Sequence, residues 1–514
     1  MLSTSNSRIK VGKPAQTLPL AASRQLRFLT RNLLAVLLIS ILLLIPCYWH
    51  SHIEGGDLGS HVYNAWLAQL VQQGKAPGVY VVWQWDNILF DLMLFYLAKA
   101  FGFAAAEKIA VSLCVLLFFW GIFALMKAVS RQSPWFLTPC IAMLSYGYVF
   151  HIGFMNYYLS LGLACVGLAL LWNPSRRGLV ASVLLAPVML LAHPLGFLWF
   201  LGTAAYRLLW LRFPGSWKLL LPAVALAILL AARWFISRHA YEVEWGGIPF
   251  WKLNGADQLY LFGRRYTWVR PAIVLFFLLS TVLAWLRDST RVSFWKNSRL
   301  ILELYFVSFC ATALLPENFH FDPNGGAVGI LVTRLTLVTA ILCLCWLASL
   351  PPRSWHLLSS SAIALVFFTF LYQDTAFLSR MEANAGHLTQ QLPFGTRVLA
   401  SVFTPDSYRT VYLHIPDRAC IGHCFLVSNY EPSTRQFRVR VQQGSPVVAS
   451  SVDDSEDMQS GNYEVQEEDL PLKQIYQCDA SDLTRICIRD LAEGEKNGRL
   501  GYHPRSDSPS SQKP

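Results

Sequence analysis

Residues 54–61 of this chain, EGGDLGSH, follow directly on its first long apolar segment and lead on to GKAP at 74–77. Two acids, Glu54 and Asp57, and one histidine, His61, therefore stand at a membrane boundary, on a turn that glycines make flexible. The residues after the turn have the pattern of an amphipathic helix. We interpret most of the remaining chain as a membrane scaffold that could hold a lipid-linked substrate beside this turn.

The composition is typical of a polytopic membrane protein. Of the 514 residues, 54% are hydrophobic and only 14% are charged, and the mean hydropathy is +0.39. Soluble domains average about 45–50% apolar and about 25% charged residues. The net charge of +11 could suggest a nucleic-acid partner. The basic residues lie in short loops between apolar segments, however, where they orient helices in the membrane, so we expect no nucleic-acid partner.

Eleven apolar segments approach the length of about 20 residues that a membrane-spanning helix needs. They lie near residues 32–49, 107–127, 134–150, 153–172, 178–193, 194–211, 217–237, 268–286, 299–316, 327–349 and 354–373. A further stretch at 88–103 carries Asp91 and is interrupted by Lys99. If this stretch does not cross, the loops rich in lysine and arginine all face the cytoplasm, as the positive-inside rule requires. We therefore predict that 88–103 is an external helix on the membrane surface.

This topology predicts a cytoplasmic tail at 1–30, a membrane domain at 31–374 with an external loop at 50–106, and an extracytoplasmic domain at 375–514. The expected fold class is all-α and polytopic, with external juxtamembrane helices and a small C-terminal α+β domain. Strands are expected near 397–402, 410–414, 425–427 and 437–441. The acidic run at 453–457 is expected in a loop, and residues 506–514 in a disordered end.

The tail holds four cysteines, Cys420, Cys424, Cys478 and Cys487. We expect Cys420 to pair with Cys424 and Cys478 with Cys487, since disulfides form in an oxidising compartment and the tail is predicted to lie outside. A zinc site built from Cys420, His423 and Cys424 is the alternative.

Asp57 is the first candidate for a catalytic role. Glycosyl transfer with inversion requires a carboxylate that accepts the proton of the acceptor hydroxyl, held near a sugar at the membrane surface. The structural alternative is that Asp57 only caps the helix that follows. His61, one helical turn later, could orient Asp57 or bind the acceptor. A metal site from His50, His52, His61 and the two acids matches no strong ligand pattern, so we expect no cofactor.

Arg334 is the most conspicuous charged residue inside an apolar segment, because it lies among the apolar residues of the segment at 327–349. A central arginine costs at least about 2.5–3.5 kcal/mol to insert, so it normally faces a cavity or a partner. The phosphate of a polyprenyl-linked donor would be such a partner, because the planar guanidinium fits it. The alternatives are snorkelling to the interface and pairing with Glu303. Arg264 and Arg265, in an external loop, are further phosphate candidates or simply a solvated basic loop.

Three more residues could line a substrate pocket, namely His193, His320 and Trp83. For the histidines, and for Asp322 beside His320, we favour a structural role. Trp83 fits the aromatic belt of a membrane interface, with sugar stacking as the alternative. The sequence NYEP at 429–432 is distinctive, but we assign it no mechanism.

Taken with the topology, these motifs resemble the GT-C superfamily of polytopic glycosyltransferases, which includes protein mannosyltransferases and the aminoarabinose transferases of lipid A. The resemblance covers about residues 30–350. It matches 54–57 to the acidic motif of the first external loop, and 59–73 and 90–102 to two juxtamembrane helices. It implies a polyprenyl-phosphate sugar donor, Asp57 as the base and Arg334 at the donor phosphate.

Two departures from the family limit this resemblance. Many relatives have two adjacent acids, whereas Glu54 and Asp57 are separated here, which leaves open which of them is the base. The loop at 151–156 has no acid, which disfavours the metal-dependent oligosaccharyltransferase type.

We therefore expect a glycosyltransferase that moves a hexose, for example mannose, to an acceptor glycan, lipid or protein outside a bacterial inner membrane. The alternatives are a transporter or flippase of lipid-linked saccharides, and an O-antigen ligase or polymerase. Transporters usually carry ionisable residues in several spans, and the ligases typically have their large external loop late in the chain.

Overall fold

The computed structural model describes residues 18–173, 175–247, 249–287, 291–321, 328–402, 414–434 and 436–498, with the backbone only for 18–32, 287 and 291–297. The expected strand residues 410–413, the C-terminal end at 506–514 and Asp322 lie outside these residues. By its internal contacts the chain divides into a unit at 1–45, whose described residues belong to the first helix, and a unit from Pro46 onward. All contacts described below lie within the second unit.

The described chain is mostly helical, and a helix lies in each of the eleven predicted apolar segments. In chain order the helices are α1 (Leu18–Tyr48), α2 (Leu58–Gln72), α3 (Leu89–Phe101), α4 (Phe103–Ser130), α5 (Thr138–Ser145), α6 (Tyr148–Ile152), α7 (Met155–Trp172), α8 (Arg176–Ala192), α9 (Pro194–Arg212), α10 (Leu220–His239), α11 (Val269–Arg287), α12 (Arg291–Leu314), α13 (Leu331–Leu347) and α14 (Ser354–Thr389).

Six helical segments among the described residues are long and apolar enough to cross a membrane: Phe103–Ser130, Trp135–Ile152, Met155–Trp172, Gly215–His239, Arg264–Leu286 and Ser354–Thr389. Leu33–Tyr48 and Leu331–Leu347 are shorter apolar helices. These helices agree with a multi-pass membrane protein, and the count of eleven crossings stays a prediction.

The stretch predicted as an external helix forms α3, which has 13 residues. Its buried residues, Phe90, Leu94, Phe95 and Ala98, recur at helical spacing and lie on one side of the helix. Gly102 separates α3 from α4 with a φ of +79°, a conformation that glycine adopts without strain. The chain therefore turns sharply between the two helices, and α3 packs against both α2 and α4.

Short strands lie in the segments between the helices. β1 (Val79–Val81) lies between α2 and α3, and β2 (Glu242–Glu244) pairs antiparallel with β3 (Asn318–His320). The C-terminal region contains β4 (Thr396–Ser401), α15 (Ile415–Cys420), β5 (Cys424–Leu426), β6 (Val439–Val441), α16 (Val452–Ser460), β7 (Lys473–Gln477) and β8 (Ile486–Asp490).

Four of these strands form one sheet in the order β5-β4-β7-β8. β4 runs parallel to β5 and β7, whereas β8 is antiparallel to β7. A buried apolar cluster lies against the sheet and includes Leu399, Val427, Met458, Leu472 and Leu491. Cys420 is bonded to Cys424 and Cys478 to Cys487, the two pairs that the sequence predicts.

The secondary structure of the tail differs from the sequence-based prediction in three places. The acidic run at 453–457 was predicted as a loop, which is wrong, because it forms most of α16. The Ser451 hydroxyl accepts hydrogen bonds from the backbone N–H groups of Asp453 and Asp454. The negative charges of these acids in the first turn also interact favourably with the helix dipole. Residue 414, predicted to end a strand, lies in the turn before α15, and β7 and β8 were not predicted.

The C-terminal region packs directly on the segment between α1 and α4. β6 pairs antiparallel with β1, so that Val441 lies opposite Val79. α15 packs against α2 and against the end of α14, which continues 16 residues beyond the predicted span at 354–373. This docking places residues 414–431 beside the turn at 54–57.

Candidate functional site

The turn that carries Asp57 is fastened to the connection between α6 and α7. The backbone N–H groups of Gly56 and Asp57 donate to the carbonyls of His151 and Ile152, each at 2.7 Å. Nδ1 of His151 in turn lies 2.8 Å from the carbonyl of Glu54. Gly153 has a φ of +100°, and a Cβ at that position would collide with the backbone of Asp57. The turn is therefore held by backbone contacts that leave the Asp57 side chain unused.

Asp57 occupies the N-cap position of α2, but its side chain makes no capping hydrogen bond. The capping role that the sequence allowed is thus not realised through the side chain. The carboxylate is 22% exposed, and its Oδ1 lies 3.7 Å from Nε2 of His414. A partly open carboxylate therefore stands next to a buried imidazole.

His414 reaches this position because α2 can approach it closely. A Cβ on Gly59 would overlap the His414 carbonyl, so the glycine makes room for the protein's own backbone and not for a ligand. Nδ1 of His414 lies 3.4 Å from Asp417 Oδ1. Burial disfavours the charged ring, but the charges of Asp417, Asp57 and Glu431 outweigh it and raise the pKa of His414 to about 9. The ring is therefore cationic at neutral pH.

His61 also lies beside Asp57, one turn along α2. Its Nδ1 is 2.8 Å from Asp91 Oδ1, and Asn156 donates to the other oxygen of Asp91 at 3.0 Å. Burial opposes protonation of the ring, but Asp91, Glu431 and Asp57 outweigh it and raise the pKa of His61 to about 10. His61 thus adds a second positive charge to the surroundings of Asp57.

The NYEP sequence forms the opposite wall of this site. Asn64 of α2 donates to Glu431 and, at 3.1 Å, to Ser60 Oγ. Asn429 donates to Asn64 Oδ1 at 2.9 Å. Burial, only partly offset by the charge of His61, raises the pKa of Glu431 to about 7. The C-terminal segment therefore docks on α2 through buried amides and a carboxyl that is largely neutral below this pH.

Glu54 lies in a different environment from Asp57, although only three residues separate them. Its side chain is fully buried and stands 3.8 Å from Nη2 of Arg418. Arg418 donates to Glu107 at 2.5 Å, to Glu382 at 2.6 Å and to the carbonyl of Ile53 at 2.8 Å. Burial and the nearby charges of Glu382 and Glu107 hold the pKa of Glu54 well above its usual range, although Arg418 opposes the shift.

Arg334 lies near the start of α13 and interacts electrostatically with Asp57. Its guanidinium stands 4.2 Å above the ring of Phe154. Its Nε is buried without a hydrogen-bond partner, and no carboxylate of the described residues lies within 4.0 Å of the guanidinium nitrogens. Pairing with Glu303 is not formed, because Glu303 binds Arg299 at 2.7 Å and Tyr206 at 2.9 Å.

His193 lies next to this arginine, through Tyr157. The Tyr157 hydroxyl donates to the backbone carbonyl of Arg334 at 2.8 Å, and the Tyr157 and His193 rings are 5.2 Å apart. Nδ1 of His193 accepts from the backbone of Leu195 at 3.1 Å, so the residue also caps α9. His193 therefore caps α9 at a position close to Arg334, and the choice between a structural role and a pocket role stays a prediction.

The remaining candidates have other neighbours. Arg265 donates to Gln373 at 3.0 Å and lies 3.4 Å from Asp374, while Arg264 is exposed. His320 lies 3.2 Å from Glu242 on the β2–β3 pair. Trp83 is 58% exposed and packs edge-on against Trp85. Among the contacts of the described residues, none joins these four candidates to Asp57.

The three histidines considered for a metal site point to different partners. His50 Nε2 lies 3.0 Å from the Tyr372 carbonyl, His52 lies 3.3 Å from Glu382, and His61 faces Asp91. Within the described ranges, no group of three or more histidine, cysteine or acidic side chains is arranged to hold a metal ion. Cys420 and Cys424 are joined to each other, so the zinc alternative built on them is not formed.

Four residues of the site were not predicted: Asp91, His414, Arg418 and Glu431. Only the NYEP sequence gave a signal, and it suggested no role. Comparisons with protein-family models, with curated proteins and with solved structures found no match for this chain. The function must therefore be argued from the site itself.

Proposed function

We propose that this protein is a membrane glycosyltransferase that moves a sugar from a polyprenyl-phosphate donor to an acceptor hydroxyl at the outer membrane surface. One observation carries the proposal. The carboxylate of Asp57 is partly exposed, makes no capping hydrogen bond and lies beside the cationic His414. It also interacts electrostatically with Arg334, which has no carboxylate partner among the described residues. A base and a phosphate-binding cation are the two groups that such a transfer needs.

In the proposed reaction the acceptor oxygen attacks the anomeric carbon of the donor, and its proton passes to Asp57. The bond between the anomeric carbon and the phosphate oxygen breaks, and the electron pair leaves with polyprenyl phosphate. The imidazole of His414 stands 3.7 Å from the Asp57 carboxylate and places a positive charge beside it as the proton is transferred.

Arg334 would bind the donor phosphate before transfer and stabilise its growing charge as the bond breaks. Its Nε is buried without a partner, and a buried unpaired polar group is costly. A phosphate would remove that cost and form charge-assisted hydrogen bonds. The apolar helices around it would take the polyprenyl chain.

The surroundings of the two acids favour Asp57 over Glu54 as the base. Glu54 is enclosed, and burial holds its pKa well above its usual range, so its side chain is not open to an acceptor hydroxyl. Asp57 is open and faces a cation. We assign Glu54 to the support of the turn.

The compartment and the substrates belong to the same proposal. The two disulfides support an oxidising side for the C-terminal domain. We infer a bacterial inner membrane with this domain in the periplasm, a polyprenyl-phosphate hexose as the donor, and a glycan, lipid or protein as the acceptor.

The test is sugar transfer by the purified protein from synthetic radiolabelled polyprenyl-phosphate hexoses, following both the product and free polyprenyl phosphate. Asp57→Asn is expected to reduce turnover by about 10²–10⁴-fold, the typical contribution of a general base. Asp86→Asn is the matched control, because Asp86 is an exposed acid of the same external loop.

Equal turnover by wild type and Asp57→Asn would refute the assigned base. No turnover with any donor, together with movement of intact lipid-linked saccharide across vesicles, would instead support a flippase, and Asp57 would be part of its scaffold.

A further inference from the structure

The Arg418 guanidinium lies at the junction of four chain segments. It belongs to α15 of the C-terminal domain, and it donates to Glu107 of α4, to Glu382 of α14 and to the carbonyl of Ile53. Glu54 completes the set at 3.8 Å. We call these residues (Arg418, Ile53, Glu54, Glu107 and Glu382) the arginine cage.

We propose that Arg418 is a positioning residue of the active site, which holds the turn that carries Asp57 at Ile53, while α6 holds it at Gly56 and Asp57. This inference rests on the proposed function for its catalytic consequence, but its structural content can be tested without any reaction.

First, the cage and Asp57 share one short segment. Arg418 binds the carbonyl of Ile53, and the backbone of Gly56 and Asp57 binds the α6–α7 connection. The segment at 53–57 is thus fastened at both ends, and movement at Ile53 is transmitted to Asp57 over four residues.

Second, the arrangement requires the geometry of arginine and not only its charge. Nη1 donates to Glu107 and to Ile53, while Nη2 donates to Glu382. A planar guanidinium presents such donors in a fixed fork, whereas the lysine ammonium is a point charge on a flexible stem. Lysine could neutralise the cage but could not hold all three segments together.

Third, the same short helix supplies both Arg418 and the neighbourhood of Asp57. His414 precedes α15 and contacts Asp57, while Arg418 lies one turn further along. Docking of α15 therefore fixes the turn through Arg418 and sets the charge around Asp57 through His414. The C-terminal domain becomes part of the active site, although it lies more than 300 residues from Asp57 in sequence.

The test uses the full-length protein in detergent with Arg418→Lys, and it measures hydrogen exchange in peptides covering 53–61. We expect exchange there to rise about tenfold, because a local fastening is lost. Arg489→Lys is the matched control, since Arg489 binds Glu495 in the same domain but away from the turn. It is expected to leave exchange at 53–61 unchanged.

Kinetic measurements on the same proteins distinguish whether Arg418 places Asp57 for catalysis or only stabilises the fold. For Arg418→Lys we expect kcat to fall about 10²-fold, as a displaced catalytic group does, with little change in the donor KM. Guanidinium ions added to Arg418→Ala are expected to restore part of the slow exchange at 53–61.

Unchanged exchange at 53–61 in a folded Arg418→Lys protein would overturn the proposal. So would a wild-type kcat for its folded fraction. If the wild type shows no transfer at all, the proposed function fails, while the exchange experiment still decides whether Arg418 holds the turn.

Discussion

Arg418 and Arg334 are two largely buried arginines near the same turn, and their surroundings differ in one respect. Arg418 is surrounded by three carboxylates and a backbone carbonyl, all from the protein itself. Arg334 lies above an aromatic ring, and no carboxylate of the described residues lies within 4.0 Å of its guanidinium nitrogens. The Nε of each arginine is buried without a hydrogen-bond partner among the described residues, so the ion pairs distinguish the two. The charge of Arg418 is paired within the fold, whereas that of Arg334 has no ion pair in the described part of the chain.

The difference suggests a structural role for one arginine and a ligand-binding role for the other. Burying a charged side chain costs desolvation free energy, which is offset either by charged partners within the protein or by a bound ligand. Arg418 is therefore expected to affect stability, and Arg334 to affect donor binding. A loss of donor binding in an Arg418 variant, or a large loss of stability in an Arg334 variant, would refute this distinction.

The largest expected effect is on stability. Arg418→Met would leave the carboxylates of the cage without their cation, and breaking a buried ion pair typically costs about 3–5 kcal/mol. Arg334→Met would remove a charge without internal ion pairs, so we expect a change within about 1 kcal/mol. Unfolding midpoints of both variants in detergent, compared with wild type, measure this. Equal losses would show that the two arginines play the same role.

The second prediction concerns donor affinity. Arg334→Gln is expected to weaken binding of polyprenyl phosphate by about 10–100-fold, corresponding to the roughly 1.5–3 kcal/mol of a hydrogen bond to a charged group. Arg334→Lys should keep part of the affinity, because it keeps the charge. Binding is measured by titration with synthetic polyprenyl phosphate, with Arg264→Gln as the exposed basic control. A larger loss for Arg264→Gln would move the phosphate site to the external loop.

The sequence predicted the scaffold well because its signal is local. Apolar runs of sufficient length mark the helices, and the stretch at 88–103 contains the short helix α3, whose external position stays a prediction. The turn at 54–61 was found in the same way, by its position after the first apolar segment. The two disulfides followed from short spacing within the tail.

The partners of the turn could not be predicted, because they depend on how the C-terminal domain docks. His414 and Arg418 lie more than 350 residues from Asp57 and Glu54, the acids of the turn, and no local pattern indicates such a pairing. Glu54 and Asp57 look alike in sequence, and only their burial distinguishes them. The helix at the acidic run, in contrast, has a local signal, because Ser451 is a favourable N-cap residue directly before α16.

The third prediction is a pH dependence set by His414. Its pKa is raised to about 9, so its contribution to stability is fully present below the unfolded value of about 6.5 and is lost as the pH rises through 9. His61, with a pKa of about 10, acts in the same direction. We expect both the unfolding midpoint and kcat to decline between about pH 8 and 10.

The variant His414→Gln shows which group causes the decline of kcat at high pH. In His414→Gln the positive charge 3.7 Å from Asp57 is absent at every pH while that of His61 remains, so kcat at pH 7 is expected to fall about tenfold, equivalent to about 1.4 kcal/mol. The decline of kcat near pH 9 should disappear as well. An unchanged pH profile in this variant would assign the titration to another group, such as His61.

The smallest effect is expected at Trp83, which tests whether the comparison extends to exposed residues. Trp83 packs only edge-on against Trp85 among the described ring contacts, and it is mostly exposed. Exposed substitutions usually change stability by less than about 0.5 kcal/mol, and an aromatic side chain at a membrane interface needs no substrate to explain it. Trp83→Ala should therefore leave the unfolding midpoint, the donor KM and kcat close to wild type. A selective rise in the acceptor KM would instead mean that sugar stacks on this ring, and that the acceptor enters along the external loop and not from the side of Arg334.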